Sequence, residues 1–220
     1  MGPGAGRRVR VRIWDAPIRI FHWLIVLLMP ILWWTAEEEM LVEHRIAGYV
    51  LLGLLIFRLV WGLVGSSTAR FSGFVKGPRA VIAYLSGRAA PAIGHNPVGA
   101  LSVMALLGLL SLEVGLGLFA TDEDGIAPGP LSHLVSIDAA EEIAELHEDL
   151  FDVLLVLIGL HVAAILFYAL AKRNNLVGPM ITGSGEAPEG TAPMTAAPAW
   201  RFYAAAALAG LATLWIVGAL

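Results

Sequence analysis

The chain has 220 residues, of which 58% are hydrophobic, and its mean hydropathy is +0.76. This composition excludes an ordinary soluble domain and predicts an all-α integral membrane protein embedded in the lipid bilayer. The absence of cysteine excludes disulfides, thiolate metal sites, iron–sulfur clusters and covalently attached c-type haem. The net charge is −4, and no extended basic surface indicates nucleic acid as a partner.

Five apolar segments are long enough to cross a bilayer. In chain order they are Ile18–Thr35, His44–Val64, Val98–Ala120, Leu146–Lys172 and Phe202–Ala219. A basic arm, residues 1–12, precedes the first segment. A polar stretch between the second and third contains a short interfacial helix at about Val81–Leu85. A low-complexity linker, residues 184–199, precedes the additional helix predicted within residues 200–220.

Basic and acidic segments alternate along the chain. Arginines and lysines lie in the N-terminal arm, in residues 65–97 and just after the fourth apolar segment, whereas residues 36–43 and 121–146 are rich in acids. By the positive-inside rule, the N-terminus is therefore cytoplasmic and the acidic loops face outward. With five spans, the C-terminus is expected on the periplasmic side.

Four histidines sort by depth into two pairs. His147 and His161 are separated by 161 − 147 = 14 residues, so they share one helix face and lie about 21 Å apart along its axis. His44 begins the second span at the outer side, level with His147. His22 lies near the inner end of the first span, at about the depth of His161. The sequence thus predicts an outer pair, His44 with His147, and an inner pair, His22 with His161.

This arrangement is suited to two non-covalently bound b haems. Each iron porphyrin takes two axial donors on opposite faces, and neutral imidazoles from two helices provide them. A site closed in this way favours electron transfer over oxygen chemistry. We therefore expect a four-helix transmembrane bundle that binds two bis-histidine haems, with a fifth transmembrane helix at the C-terminus.

Buried arginines are candidate partners for the haem propionates. Arg58 follows His44 by 58 − 44 = 14 residues, which places it on the same helix face at the depth of the inner haem. A buried guanidinium requires an anion, although snorkelling of Arg58 to the inner surface is the alternative. Arg19, near the inner site, and Arg45, near the outer site, are similar candidates.

Other titratable residues have more than one interpretation. His95 precedes the third span and is a candidate for contact with a propionate, for replacing His22 as the inner ligand, or for an ordinary capping role. His133 is expected to be solvent-exposed. Glu113 and Asp152 lie within spans, where each either carries protons toward a quinone or pairs with a neighbour.

Three other interpretations of the histidines remain open. They are helix-packing residues with no cofactor, the proton sites of a proton-coupled transporter, or ligands of a membrane non-haem iron oxygenase. A di-iron enzyme needs its histidines clustered at one depth, but here they lie at two depths. No internal repeat of the kind found in transporters is visible.

The chain resembles the bacterial cytochrome b561 family, which is related to the cytochrome b subunits of nickel–iron hydrogenases. The resemblance covers about residues 9–183 and rests on a combination of motifs. These are Trp14-Asp15-Ala16-Pro17-Ile18-Arg19, Phe21-His22-Trp23, His44-Arg45-Ile46-Ala47-Gly48-Tyr49, Arg58 to Gly62, Gly65, Ala69-Arg70-Phe71, Gly94-His95-Asn96-Pro97, His147-Glu148, His161 and Asn175 to Gly183.

The resemblance implies a dihaem membrane domain over residues 13–183, located in the bacterial inner membrane. It also implies that the haem ligands are His22, His44, His147 and His161. The expected partner is a quinone, either ubiquinone or menaquinone, within a respiratory electron transfer chain. Whether the chain oxidises a reductant by itself or serves a periplasmic redox protein or a dehydrogenase or hydrogenase subunit is open. The linker and fifth helix depart from the family pattern.

Overall fold

The computed structural model describes residues 7–88, 93–122, 125 and 127–218. Within these residues the protein is mainly helical. In chain order its elements are β1 (Arg8–Arg12), α1 (Ala16–Glu37), α2 (Leu41–Val64), α3 (Phe71–Phe74), α4 (Pro78–Leu85), α5 (Pro97–Phe119), a 3₁₀ turn (Ser132–Leu134), α6 (Ile137–Leu170), α7 (Val177–Thr182), β2 (Ser184–Pro188) and α8 (Ala199–Gly218).

Five helices of the described chain are long and apolar enough to cross a membrane: α1, α2, α5, α6 and α8. They correspond to the five predicted spans, and the protein is a multi-pass membrane protein with a helical bundle. The predicted interfacial helix is also present, as α4. The largest difference is in α6, which has 34 residues and begins 146 − 137 = 9 residues earlier than expected. Ser136 caps this extension by accepting a hydrogen bond from the Ala139 N–H, and acids near a helix N-terminus favour the helix.

Asp15 connects the inner ends of α1 and α2. One carboxylate oxygen caps α1 by accepting a hydrogen bond from the Ile18 N–H at 2.9 Å. The other oxygen accepts from the Trp61 indole at 2.9 Å and from the Ser66 hydroxyl at 2.5 Å. Asp15 is buried, so its satisfied hydrogen bonds fix the angle at which the chain enters the bundle.

The helices pack in a chain of neighbours. Close contacts join α1 to α2, α2 to α5 and α5 to α6, while α8 packs on α2. A hydrophobic cluster drawn from α1, α2, α5 and α6 fills the interior. Its most deeply buried members are Leu51 and Leu154, which are 2% and 1% exposed. Leu51 lies midway between His44 and Arg58, and Leu154 lies midway between His147 and His161, so an apolar layer separates the two histidine levels.

The sequence predicted no strand, but the structure contains a two-stranded antiparallel sheet. Strand β1, in the basic arm, pairs with β2, in the predicted low-complexity linker, with Arg8 opposite Pro188 and Arg12 opposite Ser184. The linker continues across the end of the bundle, where the Met194 N–H donates to the Arg12 carbonyl. The alternating arginines and valines of β1 have the strand period. From the sequence alone they indicate only a charged arm, because the partner strand lies far away along the chain.

We expect Asp15→Ala to destabilise the protein by about 1–3 kcal/mol, because it leaves the Trp61 indole N–H and the Ser66 hydroxyl without their buried acceptor. The measurement is the thermal unfolding midpoint in detergent. Asp15→Asn is the matched control, since its amide oxygen still accepts one hydrogen bond, and it should lose less. Equal midpoints for Asp15→Ala and the wild type would show that the connection has no structural role.

Candidate functional site

The predicted outer histidines lie next to each other. His44 is in the first turn of α2 and His147 is in the third turn of α6, and their ring centroids lie 6.2 Å apart with the planes at 88°. A metal ion bound between two opposed imidazoles, at about 2 Å from each nitrogen, spaces the ring centroids by about 6 Å. The pair therefore has the spacing that two axial ligands of one haem iron require.

A backbone hydrogen bond orients the His44 ring. Its Nδ1 lies 3.0 Å from the Leu32 carbonyl oxygen of α1 and 3.3 Å from the Thr35 hydroxyl. A carbonyl oxygen only accepts, so Nδ1 carries the proton and donates it. The other nitrogen, Nε2, then keeps its lone pair for a metal, which is the usual arrangement of a ligating histidine.

The His147 ring is held in the same way by α5. Its Nδ1 donates to the Glu113 carbonyl oxygen at 3.0 Å, and a Glu113 carboxylate oxygen lies 3.4 Å from the same nitrogen. One turn further along α5, a Cβ at Gly117 would lie 3.2 Å from the His147 ring. The absence of a side chain at Gly117 thus allows α5 to approach the imidazole closely.

The inner histidines, His22 on α1 and His161 on α6, are near enough to interact electrostatically. In the described structure their rings do not make the direct contact that His44 and His147 make. The Nδ1 atom of His22 is buried and has no hydrogen-bond partner in the described structure, and its ring meets the Trp23 ring edge-on at 5.1 Å. In the described structure, the rings of the predicted inner pair are therefore less firmly tied to the backbone than those of the outer pair.

Arg58 lies at the inner level and is 3% exposed. It is buried rather than extended to the surface, which disfavours the snorkelling alternative. Its guanidinium carbon lies 4.8 Å from the centroid of the Phe71 ring. Its charge interacts with Asp15 and with His95, yet its Nη1 atom has no hydrogen-bond partner. An orphaned buried N–H of this kind fits a carboxylate supplied by a ligand.

His95 lies in the same inner region, outside the spans. Its ring is sandwiched between Trp14, at 4.7 Å, and Phe74, at 4.6 Å. Burial, with smaller contributions from Arg58 and His161, lowers the pKa of His95 to about 4, so this side chain is neutral at pH 7. The Nδ1 atom is buried without a partner. The position suits contact with a propionate, and the ring is also within electrostatic range of His161.

A family model described as prokaryotic cytochrome b561 matches residues 13–183. The chain belongs to this family. As a cytochrome b561 it is a membrane b-type cytochrome that binds haem b and acts in electron transfer. No curated protein and no solved structure matches the chain. The matched range ends just before β2, and both strands of the small sheet and α8 lie outside it.

Several buried polar atoms of this cytochrome b561 have no hydrogen-bond partner within the residues that the structure describes. In the described part of the chain, buried side-chain nitrogen or oxygen atoms without a hydrogen-bond partner occur in Arg19, His22, Arg45, Arg58, His95 and Glu113. Five of these six are predicted site residues. Because an unpaired buried polar group costs about 1–3 kcal/mol, their concentration here fits a bundle whose polar partners come from the cofactor.

Arg19 and Arg45 are partly engaged by the protein. A guanidinium nitrogen of Arg19 donates to the Ile181 carbonyl of α7, and Nη1 of Arg45 donates to the Pro128 carbonyl at 2.9 Å. In both residues the Nε atom is buried and unpaired. Each arginine therefore has a donor that the protein leaves unpaired, while another of its donors attaches a loop or a short helix to the bundle.

Several residues of the sites could not be assigned from the sequence. The Leu32 carbonyl and the Phe71 ring carry no sequence signal for their roles. The sequence shows that Glu113 is an acid inside a span, but it does not show that His147 is its neighbour. The four-residue spacing from Glu113 to Gly117, an acid and a glycine on one helix face, is the available signal for a close approach.

One alternative, a membrane non-haem iron oxygenase, requires a cluster of metal-binding side chains. In the described ranges, no group of three or more histidine, cysteine, aspartate or glutamate side chains is placed to hold a metal ion. A non-haem di-iron oxygenase requires such a group. The arrangement of histidine pairs at two levels does not provide it.

We expect His95→Ala to retain the haem content of the wild type, because His22 and His161 already supply the two inner imidazoles. The pyridine haemochrome assay on detergent-purified protein gives the haem per chain. Loss of haem in this variant, with normal content in a His22→Ala variant, would identify His95 as the inner ligand instead.

Proposed function

We propose that this cytochrome carries electrons across the bacterial inner membrane through two b haems. His44 and His147 hold the outer haem, and His22 and His161 hold the inner haem. The observation that carries the proposal is the outer pair, whose rings lie 6.2 Å apart while each Nδ1 is tied to a backbone carbonyl. Histidines that only pack helices together, without a cofactor, would not require this spacing or two Nε2 atoms that are free to bind a metal.

The assignment of the inner site rests on the helical spacing of its residues and on the burial of its polar side chains. The 14-residue interval of α6 places His161 on the face of His147, and the same interval on α2 places Arg58 on the face of His44. Arg58 is buried with an unpaired N–H, and His95 adds an unpaired ring nitrogen beside it. These donors suit the propionates of a haem held between His22 and His161.

The protein's own residues control the redox chemistry by position. A bound haem b supplies a centre that accepts and returns one electron. At each level the two histidines would hold a haem through its iron, and they would leave no open coordination position for a substrate. The buried leucines Leu51 and Leu154 form an apolar layer between the two sites, and fixed surroundings of low polarity need little rearrangement when charge moves.

A quinone is the proposed terminus at the inner side. A cavity of about 340 Å³ lies between the first half of α1 and α7, and its lining includes Arg19, Trp23, Leu24, Leu27 and Met180. Its walls are mainly apolar, its arginine has an unpaired N–H, and Trp23 links it to His22. These features suit the ring and the isoprenoid tail of ubiquinone or menaquinone.

The orientation follows from charge, with the N-terminus cytoplasmic and the C-terminus periplasmic. On the outer side, α6 begins with exposed acids, among them Asp138, Glu142 and Glu145. They lie on the same helix as His147, near the outer haem site. A basic periplasmic redox protein, or a dehydrogenase or hydrogenase subunit, is the proposed electron partner at this face.

We expect His161→Ala to remove one haem per chain and to leave the outer haem with its normal absorption spectrum, because the two sites share no ligand. The measurements are the reduced-minus-oxidised spectrum and the haem per chain. His133→Ala is the matched control, since His133 is exposed in the 3₁₀ turn, and it should keep both haems. Equal loss of both haems in His161→Ala would contradict the assignment of separate sites.

A further inference from the structure

We propose that Glu113 is a positioning residue that lowers the reduction potential of the outer haem through the imidazole of His147. The inference rests on the proposed function, because it requires a haem between His44 and His147. It concerns a side chain that the haem assignment itself leaves without a role.

Glu113 contacts the ligand ring twice. Its backbone carbonyl oxygen accepts a hydrogen bond from the His147 Nδ1–H at 3.0 Å. Its carboxylate Oε1 lies 3.4 Å from the same nitrogen. The residue is 6% exposed, and its second carboxylate oxygen has no hydrogen-bond partner in the described structure. The carboxylate is therefore directed at the imidazole in surroundings where little water screens it.

This contact distinguishes His147 from the other proposed ligands. Among the described residues, His147 is the only histidine with a carboxylate oxygen within 4 Å. His44, on the opposite side of the same site, is held by the neutral Leu32 carbonyl and the Thr35 hydroxyl. At the inner level the buried charged side chains are Arg58 and Asp15, which interact with each other.

A carboxylate beside a ligating imidazole increases the basicity of the ring, which favours the metal in its higher charge state. Reduction adds one electron to the ferric iron and changes no bond, and the Nδ1 proton stays on His147. The carboxylate thus makes electron addition less favourable at the outer site. By lowering the potential of the outer haem, it favours electron transfer from the outer haem to the inner one.

The test is a potentiometric titration of the purified holoprotein, followed by visible absorption. Glu113→Gln preserves shape and removes the charge. We expect it to increase the equilibrium constant for reduction of the outer haem about tenfold, which is 59 mV for one electron, and to leave the inner haem unchanged. Asp152→Asn is the matched control: Asp152 is an exposed acid on α6, its position is 140° around the helix from His147, and its loss should shift neither haem.

The same titration is repeated on the His161→Ala variant with and without Glu113→Gln. Because His161→Ala is expected to hold only the outer haem, a difference in potential between these two proteins belongs to that haem. An unchanged outer potential, or a shift confined to the inner haem, would overturn the inference. If Glu113→Gln loses the outer haem, Glu113→Asp provides the titration, because its shorter side chain withdraws the charge from Nδ1. An upward shift supports the role and no shift refutes it. A wild type without two haems would instead refute the proposed function, so the two failures are distinguishable.

Discussion

The heptad spacing on α2 and α6 is the constraint on which the membrane domain depends. On α6 the series is His147, Leu154 and His161, and on α2 it is His44, Leu51 and Arg58. Seven residues are nearly two helical turns, so each series lies along one face. The result is a polar level at the outer side, an apolar layer at the centre and a polar level at the inner side. Displacing either helix by two turns would separate the paired histidines and place Leu51 or Leu154 opposite a histidine.

Backbone carbonyl groups determine much of the orientation of the two outer imidazole rings. The carbonyls of Leu32 and Glu113 hold the two imidazoles, and they in turn are fixed by the packing of α1 on α2 and of α5 on α6. Asp15 fixes the other end of the α1–α2 pair. Ligand orientation is therefore a consequence of helix packing, and interactions far from the histidines contribute to it.

The sequence predicted the parts of this arrangement that local patterns encode. Apolar length identified the five spans, and the fourteen-residue intervals identified the two depths and the buried Arg58. It did not predict the β1–β2 pair, because Arg8 and Pro188 are joined only by tertiary contact. It also did not predict that Glu113 faces His147, because facing residues on two different helices depend on how those helices rotate about their axes. Backbone acceptors such as the Leu32 carbonyl are independent of side-chain identity and leave no trace in the sequence.

The central claim is that each chain holds two b haems, one at each histidine level. The most direct measurement is the pyridine haemochrome assay on the detergent-purified full chain, combined with its reduced-minus-oxidised visible spectrum. The account predicts two haem b per chain. One haem would show that a ligand pair is misassigned, and a folded protein without haem would contradict the account as a whole.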